Sequence, residues 1–476
     1  MAPKFGTSGL RGLVVELTPD LVADHIRAFL RACPVGTGLW VGRDLRPSSP
    51  DLAATVLGAA RAMGVACVDC GAVPTPALAL AAMQAGAAAV MVTGSHIPAD
   101  RNGLKFYLPG GEIAKTDEAA ILAALDGPVP DGPAGPPPRL YGSAGSDWVA
   151  RYVTAFGPGA LQGLRLGVWS HSAVSRDLLL DAVAALGAMP VDLGRSGVFV
   201  PLDTEAVPAA ARAQLADWAA AHRLDAILST DGDGDRPLLT DAQGRVIPGD
   251  VLGQITAAVL GAGVVVTPVS SNTGAEASGR FARVIRTKIG SPFVIAAMQA
   301  AGAGAAVAGY EANGGFLLGF TAQGPAGPLP PLATRDSLLP MIAPLSRARA
   351  AGGVAALVAA EPARFTATDR LEDIPADRAR ALMAGFEADP AQLDAFLADL
   401  GEGLGEGLGE GRGEGLSGAA VDRTDGLRLT LASGRVLHMR PSGNAPEFRL
   451  YVEAASPEAA AALLAPGLSA LRHRLA

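Results

Sequence analysis

Apolar and polar positions along the chain give two signals in turn. Short uninterrupted apolar runs, of a length suited to buried strands, alternate with longer stretches in which apolar residues recur at helical spacing. The first series predicts strands over 39–42, 66–69 and 87–92, helices over 49–63 and 75–84, and a second extended run over 104–108. A second series gives strands over 166–170, 190–193 and 226–229, with helices over 175–186 and 207–222. A third begins near Gly249 and places strands at 264–266, 284–287 and 305–309 between helices. Such alternation builds a parallel or mixed sheet covered by helices. The last part differs, because strands over 426–431, 436–440 and 448–453 precede one closing helix over 457–471, an α+β pattern.

At 476 residues the chain exceeds a single core, and the pattern divides it into α/β domains over 1–139, 140–247 and 248–357 and an α+β domain over 358–476. The stretch 127–138, GPVPDGPAGPPP, is too rich in proline and glycine for regular structure and marks the first boundary. The three α/β series are alike in length and in ending on distinctive loops, which suggests a structural repeat. The glycine and glutamate run over 401–416 lacks the adjacent strand, the lysine and the helix start of a phosphate loop, so it reads as a flexible acidic insertion.

Composition narrows the class. Nearly half the residues are apolar (49%) but only 5% are aromatic, so the cores must rest on alanine, valine and leucine. A net charge of −8 argues against a nucleic-acid partner, which needs a basic face. Local convergence of a few arginines and lysines on a small anion remains open. Three cysteines, Cys33, Cys67 and Cys70, suit a reducing cytosol; Cys67 and Cys70 have redox or zinc spacing, yet no second pair accompanies them, and buried strand cysteines are the better reading. The N-terminal residues lack the apolar core of a signal peptide. The uncharged run 251–275 is interrupted by Gly261, Gly263, Pro268 and Asn272, so a helix and a buried strand are expected rather than a membrane span.

Chemistry gathers in the loops. After the run 87–92, Thr93 and Gly94 turn the chain so that Ser95 sits at the lip of a sheet, followed by His96; Asn102-Gly103 is expected to form a turn that returns Lys105 beside the serine. In DGDGDR, Asp231, Asp233 and Asp235 alternate with two glycines ahead of Arg236, an oxygen-only ligand set for a hard cation such as Mg²⁺. An EF-hand would need glycine after the third acid and glutamate at position twelve, where this chain has Arg236 and Ala242. RPSGNAPEFR, between two strands, offers Arg440, Ser442, Asn444, Arg449 and loop amides near Gly443 as an anion cradle. GYEANGG carries Glu311 and Asn313, and on its own reads equally as a glycine hairpin with an exposed glutamate. FGTSGLRG near the start carries Arg11, and TKIGSP carries Lys288.

The ordered occurrence of these motifs, from Lys4 to Glu453, resembles the phosphohexomutase superfamily, and within it the bacterial phosphomannomutases and phosphoglucomutases. The resemblance implies three similar α/β domains with mixed sheets and a smaller C-terminal α+β domain around a central cleft. It further implies that Ser95 carries a transferable phosphoryl group, that Asp231, Asp233, Asp235 and a phosphoserine oxygen at Ser95 hold Mg²⁺, and that Arg236 helps orient the loop or the phosphoserine. Arg11 would point into the active site, Lys105 or His96 would move the hydroxyl proton, Lys288 would contact the substrate, and Glu311 and Asn313 would contact the sugar. Arg440, Ser442, Gly443, Asn444 and Arg449 would bind the distal phosphate. Asn444 stands where threonine is usual, Asn313 where serine is common, and Ser291 where histidine is. The implied reaction interconverts hexose 6-phosphate and hexose 1-phosphate through a hexose 1,6-bisphosphate, with mannose the first choice of sugar, then glucose, then glucosamine. The expected setting is a cytoplasmic monomer or homodimer with a small sugar phosphate as partner and neither nucleic acid nor membrane. A metal-dependent phosphatase and a non-catalytic sugar-phosphate binder are the competing readings.

Overall fold

A computed structural model of the chain describes residues 3–6, 9–128, 132–302, 304–401, 418–442 and 446–475. Two compact units are distinguished: Met1–Val266 with Arg280–Arg283 and Gly290–Ala360, and Thr267–Gly279 with Val284–Ile289 and Glu361–Ala476.

The first unit contains three mixed sheets. In the first, the strands run in the order Lys4–Phe5, Leu10–Leu13, Arg101–Leu108, Ala88–Val92, Leu39–Arg43, Cys67–Ala72 and Arg139–Leu140. The three apolar strands at its centre are parallel, and helices Pro19–Ala32, Ser49–Ala62 and Thr75–Gln84 connect or flank them. Val41, Val90, Val56, Phe29 and Phe106 meet in the core between sheet and helices. The helix Pro19–Ala32 was not signalled by the apolar pattern; it starts where the Thr18 hydroxyl accepts from the Leu21 amide and buries Val22, Ile26 and Phe29. The second sheet has the order Met189–Leu193, Arg165–Trp169, Ala226–Thr230, Pro237–Leu239. The third contains Val264–Pro268, Val307–Tyr310, Phe316–Leu318 and Leu332–Asp336 in that order.

One connection recurs in all three. Ala88–Val92, Ala226–Thr230 and Val307–Tyr310 each run parallel to one neighbour and then cross by a short loop to an antiparallel one. Each of these crossings is one of the signature loops: 93–100, 231–236 and 311–315. The repeat suggested by the spacing of the sequence is therefore visible as topology.

One local expectation is corrected. Asn102-Gly103 is not a turn but lies inside the strand Arg101–Leu108, and the reversal occurs over 94–100. Asn102 finds partners for its amide in the hydroxyls of Ser48 and Ser49, and Gly103 lies against the strand Leu10–Leu13, where a Cβ would come within 2.2 Å of the Leu10 carbonyl oxygen. Tertiary contacts here outweigh the turn preference of the dipeptide.

The second unit carries an antiparallel sheet in the order Phe365–Leu371, Phe448–Ala454, Val436–Pro441, Leu427–Thr430, Ala420–Asp422. Helices Ala376–Ala388, Pro390–Asp399 and Pro457–Leu475 pack Phe386, Phe396 and Leu471 against Leu450 and Phe448. The expected insertion over 401–416 falls, after Gly401, outside the described residues.

Candidate active site

The serine loop is held under strain from below. Ser95 has φ 56°, a left-handed conformation that costs a residue with a side chain about 1–3 kcal/mol and persists only where its surroundings impose it. Its amide donates to the Thr93 hydroxyl at 2.8 Å, and that hydroxyl donates to Asp44 at 2.7 Å. Asp44, fully buried, also accepts from the Ser49 hydroxyl at 2.6 Å, the Arg46 amide at 3.0 Å and the Arg46 guanidinium. Arg46 in turn donates to the carbonyl oxygens of Ser95, at 2.9 Å, and Ile97, and its guanidinium lies 4.0 Å from the centre of the Phe199 ring. Neither Asp44 nor Arg46 belonged to the motifs read from the sequence. Their signal is two opposite charges directly after a buried strand.

The acidic loop meets the serine across 136 positions of chain: the Ser95 hydroxyl donates to Asp231 Oδ2 at 2.7 Å. Gly232 is pressed so closely against the serine loop that a Cβ there would lie 2.7 Å from the Ser95 carbonyl oxygen. Asp231 Oδ1 accepts from the amides of Asp235 and Arg236, both at 3.2 Å, which folds the loop back on itself. Asp233 Oδ2 accepts from Thr75 at 2.6 Å and Lys105 at 2.5 Å; Asp235 Oδ2 accepts from Lys105 at 2.5 Å and is paired with Arg335 at 2.8 Å. Lys105 is thus brought to the site as expected, although by a strand rather than by a turn.

These residues suit a hard cation. One oxygen from each of the three fully buried aspartates lies within 4.8 Å of the others. Asp233 Oδ1 and Asp235 Oδ1 are buried with no hydrogen-bond partner, a costly state for a carboxylate oxygen that a metal ion would relieve. Burial, with Asp233 and Asp235 beside it, lifts the Asp231 carboxyl well above its usual range. Asp233 moves the opposite way: burial would raise it, but the ammonium of Lys105 outweighs that and holds it far below.

Cations and one neutral imidazole complete the set. Burial, then Arg236 and Arg335, brings Arg11 down to about 10, which marks three guanidinium groups converging on one region. Arg236 itself is raised: burial lowers it, but Asp231, Asp235 and Asp203 together outweigh that penalty. His96 Nδ1 lies 3.3 Å from the Ser95 hydroxyl. Burial, with Arg236 and Arg11, drives its basicity far below the ordinary imidazole value, so its 4.0 Å approach to Asp203 is a contact of a neutral ring and not an ion pair.

Glu311 is buried, which removes the reading of an exposed hairpin glutamate. Its loop is closed by Glu311 N donating to Gly315 O at 3.1 Å, while Asn313 Oδ1 accepts from the Gly315 amide at 3.0 Å. Ser291 donates to Glu112 at 2.6 Å.

Within the second unit, Arg440 Nε pairs with Asp425 at 3.1 Å, and Arg449 with Glu447 at 2.9 Å. Arg370, Arg449 and Arg440 face one another across three adjacent strands, and Arg370 also reaches Glu447 at 3.2 Å. Arg370 carried no motif and was missed. Ser442 is buried, its amide donating to Glu447 O at 2.8 Å, whereas Gly443 and Asn444 lie outside the described residues. Lys288 is exposed, and the amide of its neighbour Ile289 donates to Asp425 at 3.0 Å. Cys33, Cys67 and Cys70 are free and buried, with burial pushing their thiols up to about 11, 11 and 12, so neither redox nor zinc chemistry is drawn from them.

Comparison with known proteins agrees with this geometry. Models of phosphoglucomutase/phosphomannomutase domains match residues 2–128 (alpha/beta/alpha domain I), 249–365 (alpha/beta/alpha domain III) and 385–466 (C-terminal domain). A phosphomannomutase of Sinorhizobium fredii is 45% identical over 492 residues, covering 100% of both chains. One of Salmonella muenchen is 40% identical, covering 99% of this chain and 96% of the other. The crystal structure of a phosphoglucomutase/phosphomannomutase family protein from Burkholderia thailandensis shares the fold with a TM-score of 0.75 at 23% identity, over 98% of this chain and 96% of that one. The chain belongs to the phosphoglucomutase/phosphomannomutase family of the phosphohexomutase superfamily.

Proposed function

We propose that this protein is a hexose phosphate mutase, an intramolecular phosphotransferase that interconverts hexose 6-phosphate and hexose 1-phosphate, with mannose as first substrate and glucose second. The observation that carries the proposal is the 2.7 Å hydrogen bond from the Ser95 hydroxyl to Asp231, within a cluster of three buried carboxylates. A phosphomannomutase relative matching the full length of the chain supports mannose.

In this reading Ser95 rests as a phosphoserine. A free C1 or C6 hydroxyl of the bound monophosphate attacks its phosphorus, the bond from phosphorus to Ser95 Oγ breaks, and the hydroxyl proton passes to the neutral His96 ring or to Lys105 in its amine form, which gives it back in the second transfer. The product is a 1,6-bisphosphate, which turns over and returns its other phosphoryl group to Ser95. Phosphoryl transfer asks mostly for alignment and charge neutralisation. Mg²⁺ held by Asp231, Asp233, Asp235 and a phosphoserine oxygen would neutralise the charge on the transferring group. Arg11 and Arg236 add positive charge on the protein side. Glu311 and Asn313 accept and donate bonds at sugar hydroxyls. Lys288 contacts the substrate, and Arg440, Ser442, Gly443, Asn444 and Arg449 bind the phosphate that is not being transferred.

Among the described residues no helix is long and apolar enough to cross a membrane. With three buried free thiols and a sugar phosphate as partner, we place the protein in the cytoplasm as a monomer or homodimer.

The test supplies mannose 1-phosphate with Mg²⁺ and a trace of the 1,6-bisphosphate, and follows mannose 6-phosphate and inorganic phosphate together. Wild-type protein should form the 6-phosphate with no matching phosphate release, and Ser95→Ala should lose about 10³-fold or more of that rate. Stoichiometric phosphate release would instead establish a phosphatase, and full activity in Ser95→Ala would remove the nucleophile.

A further inference from the structure

The loops that carry the acids of the metal cluster and of sugar recognition are joined by a residue that no motif points to. Arg335 lies on the strand Leu332–Asp336, and only 4% of its side chain is exposed. Its Nη2 is 2.8 Å from Asp235 Oδ2, its Nη1 is 3.3 Å from Glu311 Oε2, and its Nε is 4.0 Å from Glu112 Oε1. A guanidinium is planar and rigid, so these separations fix the two loops relative to one another in a way that an ammonium on a flexible stem cannot. The stem is itself confined, since a Cβ on Gly315 would meet Arg335 Cδ at 2.8 Å. Glu112 is held in place by the hydroxyls of Ser291, at 2.6 Å, and Thr334, at 3.1 Å.

We infer that Arg335 is a positioning residue that couples the cation-binding carboxylates to the sugar-recognition carboxylate, opposing the cation at Asp235 while holding Glu311 in its receiving geometry. This rests on the reading of the two loops given above. Its two effects have opposite signs. The positive charge beside Asp235 raises the free energy of a divalent cation bound there, so Arg335 weakens cation binding. The same group prevents Glu311 from turning away from a sugar hydroxyl, so Arg335 strengthens sugar binding. A residue that merely supported the fold would, when removed, weaken both.

The experiment uses the full chain with Arg335→Met and Arg335→Lys. The Mg²⁺ dissociation constant is measured by titration calorimetry without sugar, and KM and kcat are measured for mannose 1-phosphate. Arg335→Met should bind Mg²⁺ about fivefold more tightly, because a buried positive charge has gone. Arg335→Lys keeps the charge and should stay within about twofold of wild type in cation affinity. Both variants should raise KM about fivefold or more while changing kcat less, because neither spans the two acids. Weaker or unchanged Mg²⁺ binding in Arg335→Met, or an unchanged KM in either variant, overturns the coupling. If Arg335→Met does not fold, Arg335→Lys decides through its KM. If wild-type protein isomerises no hexose phosphate, the mutase reading fails by itself, and the calorimetric comparison still decides whether Arg335 opposes the cation.

Discussion

Asp233 is bonded unevenly: one carboxylate oxygen takes Thr75 and Lys105, and the other has no partner. Asp233→Asn keeps the shape but removes the charge that a cation would meet. Its apparent Mg²⁺ affinity in calorimetric titration should fall about 10- to 100-fold, with Mg²⁺-dependent turnover falling alongside. An unchanged metal dependence would move the cation elsewhere. The acids themselves were legible in the sequence, because three carboxylates on alternate residues with glycine between them have few other uses. Lys105 was legible as a partner but by the wrong route. Arg335 and Arg46 were not legible as site residues, since a charged residue in or just after an apolar strand announces that it is paired but not with what. For Arg335 the answer comes from acids at 235, 311 and 112, none of them near it in the chain.

At the level of elements, the working parts are crossings from a parallel strand to an antiparallel neighbour, and their closeness depends on missing side chains. Gly232→Ala would place a methyl group 2.7 Å from the Ser95 carbonyl and 2.8 Å from the Phe199 ring, so the two loops must separate. Overpacking of this kind costs about 1–3 kcal/mol, and on the proposed mechanism it should fall most heavily on kcat, because Ser95 and the acids part company. Gly58→Ala is the control. This glycine is exposed within the helix Ser49–Ala62 with nothing within 4 Å of an added Cβ, and the substitution should stabilise the protein by about 0.5–1 kcal/mol and leave kcat unchanged. Urea unfolding and initial rates on both variants check the pair. The strands at the three crossings could be read from apolar runs, because burial on both faces leaves an uninterrupted signal. Helices Leu339–Ala351, Ala376–Ala388 and Pro390–Asp399 were not anticipated. The first holds two prolines, and residues 339–345 are all buried, so that half lacks a polar face to reveal its period.

For the molecule as a whole, acid should be more damaging than the net charge of −8 suggests. Burial brings His171, in the first unit beside Arg176, and His438, in the second among Asp425, Arg428 and Arg440, down to about 4. Each buried ring donates from Nε2 to a backbone carbonyl oxygen, Thr230 O at 2.9 Å for His171 and Asp425 O at 2.6 Å for His438. In the unfolded chain each would titrate near the ordinary value of about 6.5. Between these values the unfolded state binds more protons, so stability rises with pH: the contribution is complete above about 6.5 and is lost as pH falls through 4. Each histidine accounts for up to about 3 kcal/mol. The urea midpoint should therefore drop between pH 7 and pH 4.5, and His171→Gln or His438→Gln should flatten that slope in its own unit. A midpoint independent of pH over this range would show that the rings are not held neutral.

The recurring crossing has a consequence for how such a protein can change over generations. Each reactive loop hangs between a central strand and a neighbour running the other way, so lengthening or rewording it leaves the register of both strands untouched. On the proposed reading, phosphoryl carriage and choice of sugar lie on separate loops of one scaffold, but because Arg335 ties Asp235 to Glu311, rewriting 311–315 to admit a new hexose would shift the cation affinity with it.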